Sequence, residues 1–176
     1  MVQIGGKPDR GFDDPIGMLE DCHRRIKHFL HILWVVADRA PGRTLTDEET
    51  SAVQSALHYF HQGGKRHISD EEESLFPRLR SVSAAGGFEE LDGLESDHRS
   101  VNALHDNVDT LYSAWITDGH LSQTNEQLLL SVTKQLKHLY NQHIQREEQI
   151  VFPRAAQILD SQAIAAIGKE FQARRK

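Results

Sequence analysis

The chain has 176 residues, which is enough to bury a core and is most simply one domain. Its formal charge of −6, with no basic run, argues against a nucleic-acid partner, because phosphate contacts need clustered lysine and arginine. The sequence has no apolar stretch of the roughly 20 residues that a membrane span requires, no apolar signal segment at its start, and a single cysteine, which excludes an internal disulfide framework. We therefore expect a cytoplasmic protein with no membrane partner, and its eleven histidines are the compositional outlier.

The first half of the chain has the pattern of two helices joined by a short turn. Asp13 and Asp14 before Pro15 are N-cap candidates, followed by a proline in the first turn. Apolar residues then recur at three-to-four spacing up to the turn at 40–42. Thr46 followed by Glu49 predicts a capping box that opens the second helix.

Two features interrupt the second helical pattern. Gly63 and Gly64 lie inside it, where glycine should weaken or kink a helix. The pattern resumes beyond them, and Phe76-Pro77 is expected to pack and to end the helix near Leu79. The segment 81–87, rich in Ser, Ala and Gly, is typical of a linker.

The second half repeats this organisation. A third helix is predicted from about 88 to 117, with Gly119 as its C′ residue. Ser122 opens a fourth, and residues 161–173 could form a fifth helix packed outside. No segment alternates like a strand.

Four long helices with short loops predict an all-α protein with an up-down-up-down four-helix bundle, a fold in which metal sites in the core recur. We expect an N-terminal extension at 1–13, the bundle at 14–160 and a C-terminal tail helix at 161–176.

The same histidine and carboxylate pattern occurs twice. LEDCHRRI at 19–26 corresponds to LESDHRSV at 94–101, and HISDEEESLFPR at 67–78 corresponds to HIQREEQIVFPR at 143–154. His23 and His98 are 75 residues apart, and His67 and His143 are 76 apart. The near-constant offset indicates a duplicated pair of helices.

Spacing within each copy points the polar side chains in one direction. Residues four apart share a helix face, as His67 shares one with Glu71 and His143 with Glu147. If the halves are related by a pseudo-twofold axis, imidazoles and carboxylates converge in the core, a ligand set that suits iron or manganese. Glu71 and Glu147, from diagonally related helices, are the natural bridging carboxylates of a metal pair.

The histidines complete the predicted site. His23 with His67, and His98 with His143, would supply two nitrogen ligands to each metal, although other pairings remain open. Glu20 and Glu95 lie three residues before His23 and His98, where they would act either as terminal ligands or as acceptors for histidine N–H groups. We rank them below the other six residues.

Other residues have a structural interpretation beside the functional one. Glu72 or Glu148 could replace its neighbour as a ligand, although solvated faces are the simpler interpretation. His105, His138 and Tyr140 lie close to the pattern and are either access groups or packing residues. Cys22 is either redox-active or a small buried filler. The unpaired histidines are expected to stay away from the metals: His28, His31, His58, His61 and His120.

These residues resemble the hemerythrin-like, or HHE cation-binding, family over about residues 14–160. The resemblance lies in the helix-one and helix-three histidines and in the two H-x-x-x-E blocks before Phe-Pro. It implies two non-haem iron ions, bridged by oxo or hydroxo and carboxylate groups, in a four-helix bundle. Carried over residue by residue, it names these iron ligands: His23, His67, Glu71, His98, His143 and Glu147.

Two departures from the family's oxygen carriers matter. Those proteins have a second histidine on helix three at the position where this chain has Asn102. Their last carboxylate ligand is an aspartate five residues after the preceding histidine ligand, whereas in this chain Glu147 lies four residues after His143. The site is therefore more carboxylate-rich and closer to bacterial and regulatory members. Hard anionic ligands favour ferric iron, which disfavours reversible dioxygen carriage.

The expected function follows from this site. The first hypothesis is a di-iron protein that senses or handles O2, peroxide or NO, at most with catalase-like turnover. The alternatives are a reversible dioxygen binding or storage protein and an iron-responsive or iron-donor interaction module. The expected partners are small diatomic ligands or peroxide, with a redox partner as a further candidate, for a monomer or homodimer. No catalytic nucleophile and base stand out in the sequence.

Overall fold

The computed structural model describes residues 9–82 and 88–176, and the described residues form helices and no strand. The all-α prediction is confirmed. Residues 1–8 of the expected N-terminal extension and residues 83–87 of the expected linker lie outside the described part. The elements in chain order are α1 (Pro15–Arg39), α2 (Asp47–Tyr59), π1 (Phe60–Gly64), α3 (Lys65–Asp70), π2 (Glu71–Leu75), α4 (Phe76–Val82), α5 (Glu90–Asp118), α6 (Gln123–Arg146), π3 (Glu147–Val151), α7 (Phe152–Ile158) and α8 (Ser161–Ala173).

The predicted helix starts are confirmed by their capping hydrogen bonds. The Asp14 carboxylate accepts from the backbone N–H of Gly17 at 3.0 Å, and Pro15 is the first residue of α1. Thr46 and Glu49 form the reciprocal capping box of α2, and the Ser122 hydroxyl accepts from the third residue of α6. These side chains satisfy backbone donors that the first turn of a helix leaves without partners.

Helix packing follows the apolar stripes. Helix α1 packs against α2 and α6, and α5 packs against α6 and α2. Gly119 ends α5 with a φ of 76°, the left-handed conformation that glycine adopts without a steric penalty. The chain then enters α6 after three residues, so these two helices are close neighbours.

The expected end of the ligand helices at Phe-Pro is wrong. The helices run on through Phe76 and Phe152 into α4 and α7, each preceded by a five-residue π-helical turn. In an α-helix, a proline ring would clash with the carbonyl four residues earlier, and its missing N–H would leave that carbonyl without a partner. The wider π turn relieves both problems at Pro77 and Pro153. The Gly63-Gly64 interruption is likewise a π turn, π1, within a continuous helical run.

The fifth helix occupies the predicted residues but contributes to the interior. Helix α8 contacts α1 and π2, and its Ile167 and Phe171 are buried in the apolar cluster that also contains Phe76 and Phe152. The expectation of a helix packed only on the outside is therefore incomplete, because one face of α8 belongs to the core. Within the described residues, none of the helices has the length and apolar character needed to cross a membrane.

Candidate metal centre

A layer of buried polar side chains separates two apolar clusters. On α1, Leu19 belongs to one cluster and Ile26 to the other, with His23 between them; on α5, His98 lies between Leu94 and Val101 in the same way. Apolar packing on both sides removes water from the layer, so electrostatic interactions inside it are strong. The layer contains six side chains that are at most 3% exposed: His23, His67, Glu71, His98, His143 and Glu147.

Glu71 lies between two imidazoles. Its Oε1 is 3.3 Å from Nε2 of His67, one turn earlier in the same helical run, and its Oε2 is 3.3 Å from Nε2 of His98 on α5. A single carboxylate therefore reaches nitrogen atoms from two different helices. This is the arrangement of a bridging ligand.

Glu147 occupies the equivalent position in the second repeat. Its Oε2 is 3.2 Å from Nε2 of His143 and 3.1 Å from Nε2 of His23 on α1. The aromatic residues follow the same symmetry, since Phe152 stacks on His23 and Phe76 stacks on His98. The contacts of the two halves therefore correspond, since each glutamate approaches the histidine one turn earlier and one histidine of the other copy.

The six side chains form two overlapping groups that could each hold a metal ion. One group is His23 with His67, the other is His98 with His143, and each includes both glutamates. Within each group, one ligand atom per residue lies within 4.8 Å of all the others. Two metal positions that share Glu71 and Glu147 are consistent with this geometry.

Unpaired oxygen atoms show that the donors suit cations. Among the described residues, both carboxylate oxygens of Glu71 and of Glu147 are buried without a hydrogen-bond partner, because the Nε2 atoms that lie 3.1–3.3 Å from three of these oxygens do not have hydrogen-bond geometry. Burial, together with the neighbouring Glu147, raises the pKa of Glu71 well above its usual range. Two adjacent carboxylates in a dry layer cannot both be ionised at low energy cost unless a cation lies between them.

Two of the four imidazoles, His67 and His98, are in the neutral form that binds metal. Burial and the neighbouring His23 hold the pKa of His67 well below its ordinary value. Burial and His143 lower the pKa of His98. Both rings are therefore neutral near pH 7, which leaves a nitrogen lone pair for a cation.

Each of the two carboxylates belongs to the first residue of a π turn. Glu71 begins π2 and Glu147 begins π3, and their carbonyls accept i→i−5 hydrogen bonds from Phe76 and Phe152. Because the extra residue follows the glutamate, it changes the position of the phenyl ring relative to the carboxylate and leaves the four-residue spacing of histidine and glutamate intact. π-Helical insertions of this kind are frequent at functional sites.

Comparison with known proteins agrees with this site. The family model described as hemerythrin HHE cation binding domain matches residues 14–155, which include all six side chains. The chain belongs to this family. A protein of Haemophilus influenzae (strain ATCC 51907 / DSM 11121 / KW20 / Rd), described as uncharacterized, is similar: 28% identical over 165 residues, covering 94% of this chain and 92% of that protein.

Outside the six, the HHE domain supplies carboxylates that the sequence interpretation did not assign to the histidines. Glu148 lies 2.9 Å from Nδ1 of His23, and Glu72 lies 2.7 Å from Nδ1 of His98. Asp97 lies 3.3 Å from Nδ1 of His143. A carboxylate accepts from Nδ1–H, so Nε2 of each ring faces the layer, where Nε2 of His98 and Nε2 of His143 lie 3.2 Å apart.

A sequence signal for two of these partners was available. Glu72 and Glu148 are equivalent positions of the duplication, 76 residues apart. Each pairs with the histidine of the other copy, so the contact cannot be found by inspecting one copy. The pairing becomes visible only when the two copies are placed together.

Glu20 and Glu95 lie outside both groups of the HHE domain. Glu20 pairs with Arg10 at 2.6 Å, and Glu95 pairs with Arg80 at 2.7 Å. Both side chains are partly exposed and directed to arginines at the surface. Neither glutamate lies with the other six residues. The histidine N–H groups that Glu20 and Glu95 were expected to accept from are paired instead with Glu148 and Glu72.

The remaining histidines of the domain also lie outside the two groups. His61 pairs with Asp109 at 3.0 Å, and His120 contacts a backbone carbonyl. Cys22 is buried, its Sγ accepts from Arg25 at 3.2 Å, and burial raises the pKa of its thiol. The histidines outside the groups are His28, His31, His58, His61, His105, His120 and His138.

A cavity of about 410 Å³ is lined by residues that lie about one helical turn from His98 and His143 in the sequence. Asn102 follows His98 by four residues, Tyr140 precedes His143 by three, and both line the cavity. The Tyr140 hydroxyl lies 3.1 Å from Nε2 of His105, which also lines it. Burial, and secondarily His61, lowers the pKa of His105 to about 4, so this imidazole is neutral near pH 7.

Proposed function

We propose that this protein is a cytoplasmic non-haem di-iron protein that senses or handles O2, peroxide or NO at a carboxylate-bridged centre. The observation that carries the proposal is that Glu71 and Glu147 belong to both metal-binding groups, with two histidines completing each. Nitrogen and carboxylate donors without thiolate favour iron or manganese over zinc or iron–sulfur clusters. Two iron ions there would supply one-electron and two-electron redox chemistry.

The proposed scaffold is an up-down-up-down four-helix bundle. Two features support it: the connections 40–46 and 119–122 are short, and α1 and α5 each pack against both α2 and α6. In such a bundle, ligands from all four helical runs meet in the interior. Helix α8 would then close one end of the bundle beside π2.

The ratio of carboxylate to imidazole donors favours a centre that reacts with O2, peroxide or NO over one that stores dioxygen reversibly. Each proposed metal position has two carboxylates and two imidazoles, and anionic oxygen donors stabilise the ferric state. The protein's own groups can assist an incoming small molecule. Burial, with contributions from Tyr59 and Glu71, raises the pKa of Tyr140, so its hydroxyl stays protonated.

Tyr140 and His105 can hold a proton beside the metal layer. His105 is neutral and can either accept from the tyrosine hydroxyl or donate to it, depending on its tautomer. In the second case the tyrosine O–H is free to donate into the cavity. The pair is therefore suited to delivering a hydrogen bond to a small molecule that reaches the centre.

The test of the proposed function is elemental analysis of anaerobically purified protein, followed by optical spectra. We expect two iron ions per chain, a ferric absorption spectrum, and spectral changes on adding peroxide or NO. A stable oxygen complex that forms reversibly would instead support storage. Metal-dependent stability without any response to the three small molecules would support an iron-responsive module.

Tyr140→Phe provides a sharper prediction about the cavity. We expect two irons to remain bound, because the hydroxyl belongs to neither metal-binding group. The loss of the hydrogen bond to His105 should cost about 1 kcal/mol of unfolding free energy. Stopped-flow spectra should show slower reaction with peroxide.

His138→Gln is the matched control, since His138 is two residues from Tyr140 and is not among the residues that line the cavity. An unchanged peroxide rate in Tyr140→Phe would contradict a role for the hydroxyl. Loss of iron in that variant would instead mean that Tyr140 is itself a ligand.

A further inference from the structure

Three of the four histidines in the layer have a carboxylate on their outer nitrogen. The partners are Glu148 for His23 at 2.9 Å, Glu72 for His98 at 2.7 Å and Asp97 for His143 at 3.3 Å. Such a partner holds the imidazole in one tautomer and makes its other nitrogen a stronger donor.

His67 is the exception. Its Nδ1 is buried and has no hydrogen-bond partner among residues 9–82 and 88–176. The ring is otherwise placed like that of His143, one turn before its glutamate and at a similar distance from it. The two halves of the site therefore differ in one outer contact.

The duplication explains the difference. Asp97 immediately precedes His98, and the equivalent position before His23 is occupied by Cys22. Where the second copy has a carboxylate that contacts both His143 and Arg146, the first copy has a thiol whose Sγ accepts from Arg25. A neutral thiol is a much weaker acceptor than a carboxylate. One substitution between the copies thus leaves His67 without the support that His143 has.

We infer that the two metal positions are inequivalent, and that the position formed by His23 and His67 is the labile one. It fills second and loses its metal first, while the position formed by His98 and His143 retains its metal. The inference rests on the proposed dinuclear centre. Since loss of an outer partner lowers metal affinity on the order of 10- to 100-fold, the two positions should differ by a factor in that range.

Such a difference would make occupancy of the second position a measure of available iron. At low supply only the tighter position is filled, and the bridging pair is incomplete. The complete centre, and with it the redox chemistry of a metal pair, forms only when the labile position is filled. Cys22 affects the labile position only because it supplies no carboxylate acceptor to Nδ1 of His67, and it is not a ligand.

The experiment is an anaerobic titration of metal-free protein with Fe(II), read by calorimetry and by competition with a chelator. The parent protein should bind two ions in two steps whose affinities differ on the order of 10- to 100-fold. Asp97→Cys, which reproduces the first copy in the second, should weaken the tighter step. Cys22→Asp, the reverse exchange, should strengthen the weaker step. In both variants the affinities of the two steps should therefore become more similar than in the parent.

Cys22→Ala is the control, because it removes the thiol without supplying an acceptor; its two steps should match those of the parent. Circular dichroism measures whether each variant is folded before titration. If the buried aspartate prevents Cys22→Asp from folding, Asp97→Cys still tests the inference. Two ions bound with equal affinity by the parent would overturn the inequivalence while leaving the dinuclear centre intact. Loss of the second step in Cys22→Ala would overturn it as well, since the thiol would then be a ligand. Fewer than two ions bound at saturation would overturn the proposed centre itself.

Discussion

Glu71→Gln should bind iron at the proposed centre much more weakly than the parent and yet leave a metal-free protein at least as stable as the metal-free parent. Glu71 belongs to both metal-binding groups, so its replacement removes a ligand from each position. We expect the affinity for the metal pair to fall on the order of 100-fold or more, beyond the effect of losing an outer partner.

The opposite effect on the metal-free protein has a separate cause. Without a cation, Glu71 and Glu147 are two buried carboxylates with unpaired oxygens. The glutamine amide removes the like-charge repulsion and can donate to Glu147, so the free energy of unfolding should not decrease. Thermal unfolding with and without iron measures both effects. Stability should rise with added iron in the parent and stay constant in the variant.

Glu20→Gln and Glu95→Gln are the matched controls, because they make the same chemical change on helices that also carry histidines of the site. Both glutamates pair with surface arginines, so iron content should stay near that of the parent. His28→Gln and His58→Gln should behave in the same way. Equal loss of iron in Glu71→Gln and Glu20→Gln would contradict the assignment of the ligands.

Phe171→Ala should destabilise the protein by about 3–5 kcal/mol, the usual cost of removing a buried aromatic side chain. Phe171 is fully buried in the apolar cluster that contains Phe76 and Phe152, whose rings stack on His98 and His23. For a domain of this size, the midpoint of thermal unfolding should fall on the order of 10 °C. Differential scanning calorimetry of the metal-free protein measures it.

The same substitution should weaken iron binding from a distance. Helix α8 places Arg174 and Arg175 on the buried carboxylate of Asp70, which immediately precedes Glu71. Loosening α8 exposes that carboxylate and the π2 turn. Lys169→Ala, on the exposed face of α8, should change stability by less than about 0.5 kcal/mol. A melting point equally unaffected in both variants would mean that α8 is peripheral in solution.

Much of the centre could be predicted because its strongest signals are local. Four-residue spacing puts His67 and Glu71 on one helix face whatever the rest of the chain does, and the same holds for His143 and Glu147. The capping residues Asp14, Thr46 and Ser122 act within a single turn, and their hydrogen bonds are present. In each of these cases, sequence neighbours are also neighbours in space.

The outer carboxylates could not be assigned in this way. Glu148 contacts a histidine 125 residues away in the chain, and Glu72 contacts one 26 residues away in the next helical run. Glu20 was a plausible partner for His23 by spacing, but at its place on α1 it is directed to Arg10. Which carboxylate reaches an imidazole depends on how the helices are rotated against each other.

The π turns show a different limit. The repeated Phe-Pro was visible, and proline ordinarily ends a helix. Here the wide turns π2 and π3 allow the helices to continue, because burial of Phe76 and Phe152 against the histidines favours the continued helix. The rule that proline ends a helix was overridden by the packing of the two phenylalanines, which cannot be predicted from the neighbouring sequence.

Residue order alone was enough to establish the helical class, the duplication and the matched histidine and glutamate positions, because these depend on periodicity within single helices. Three-dimensional packing had to decide three features: the grouping of the candidate ligands into two overlapping sets, the partners of the outer imidazole nitrogens, and the burial of α8. The physical reason is that these features depend on contacts between helices distant in sequence, whose rotation and spacing are set by the whole core.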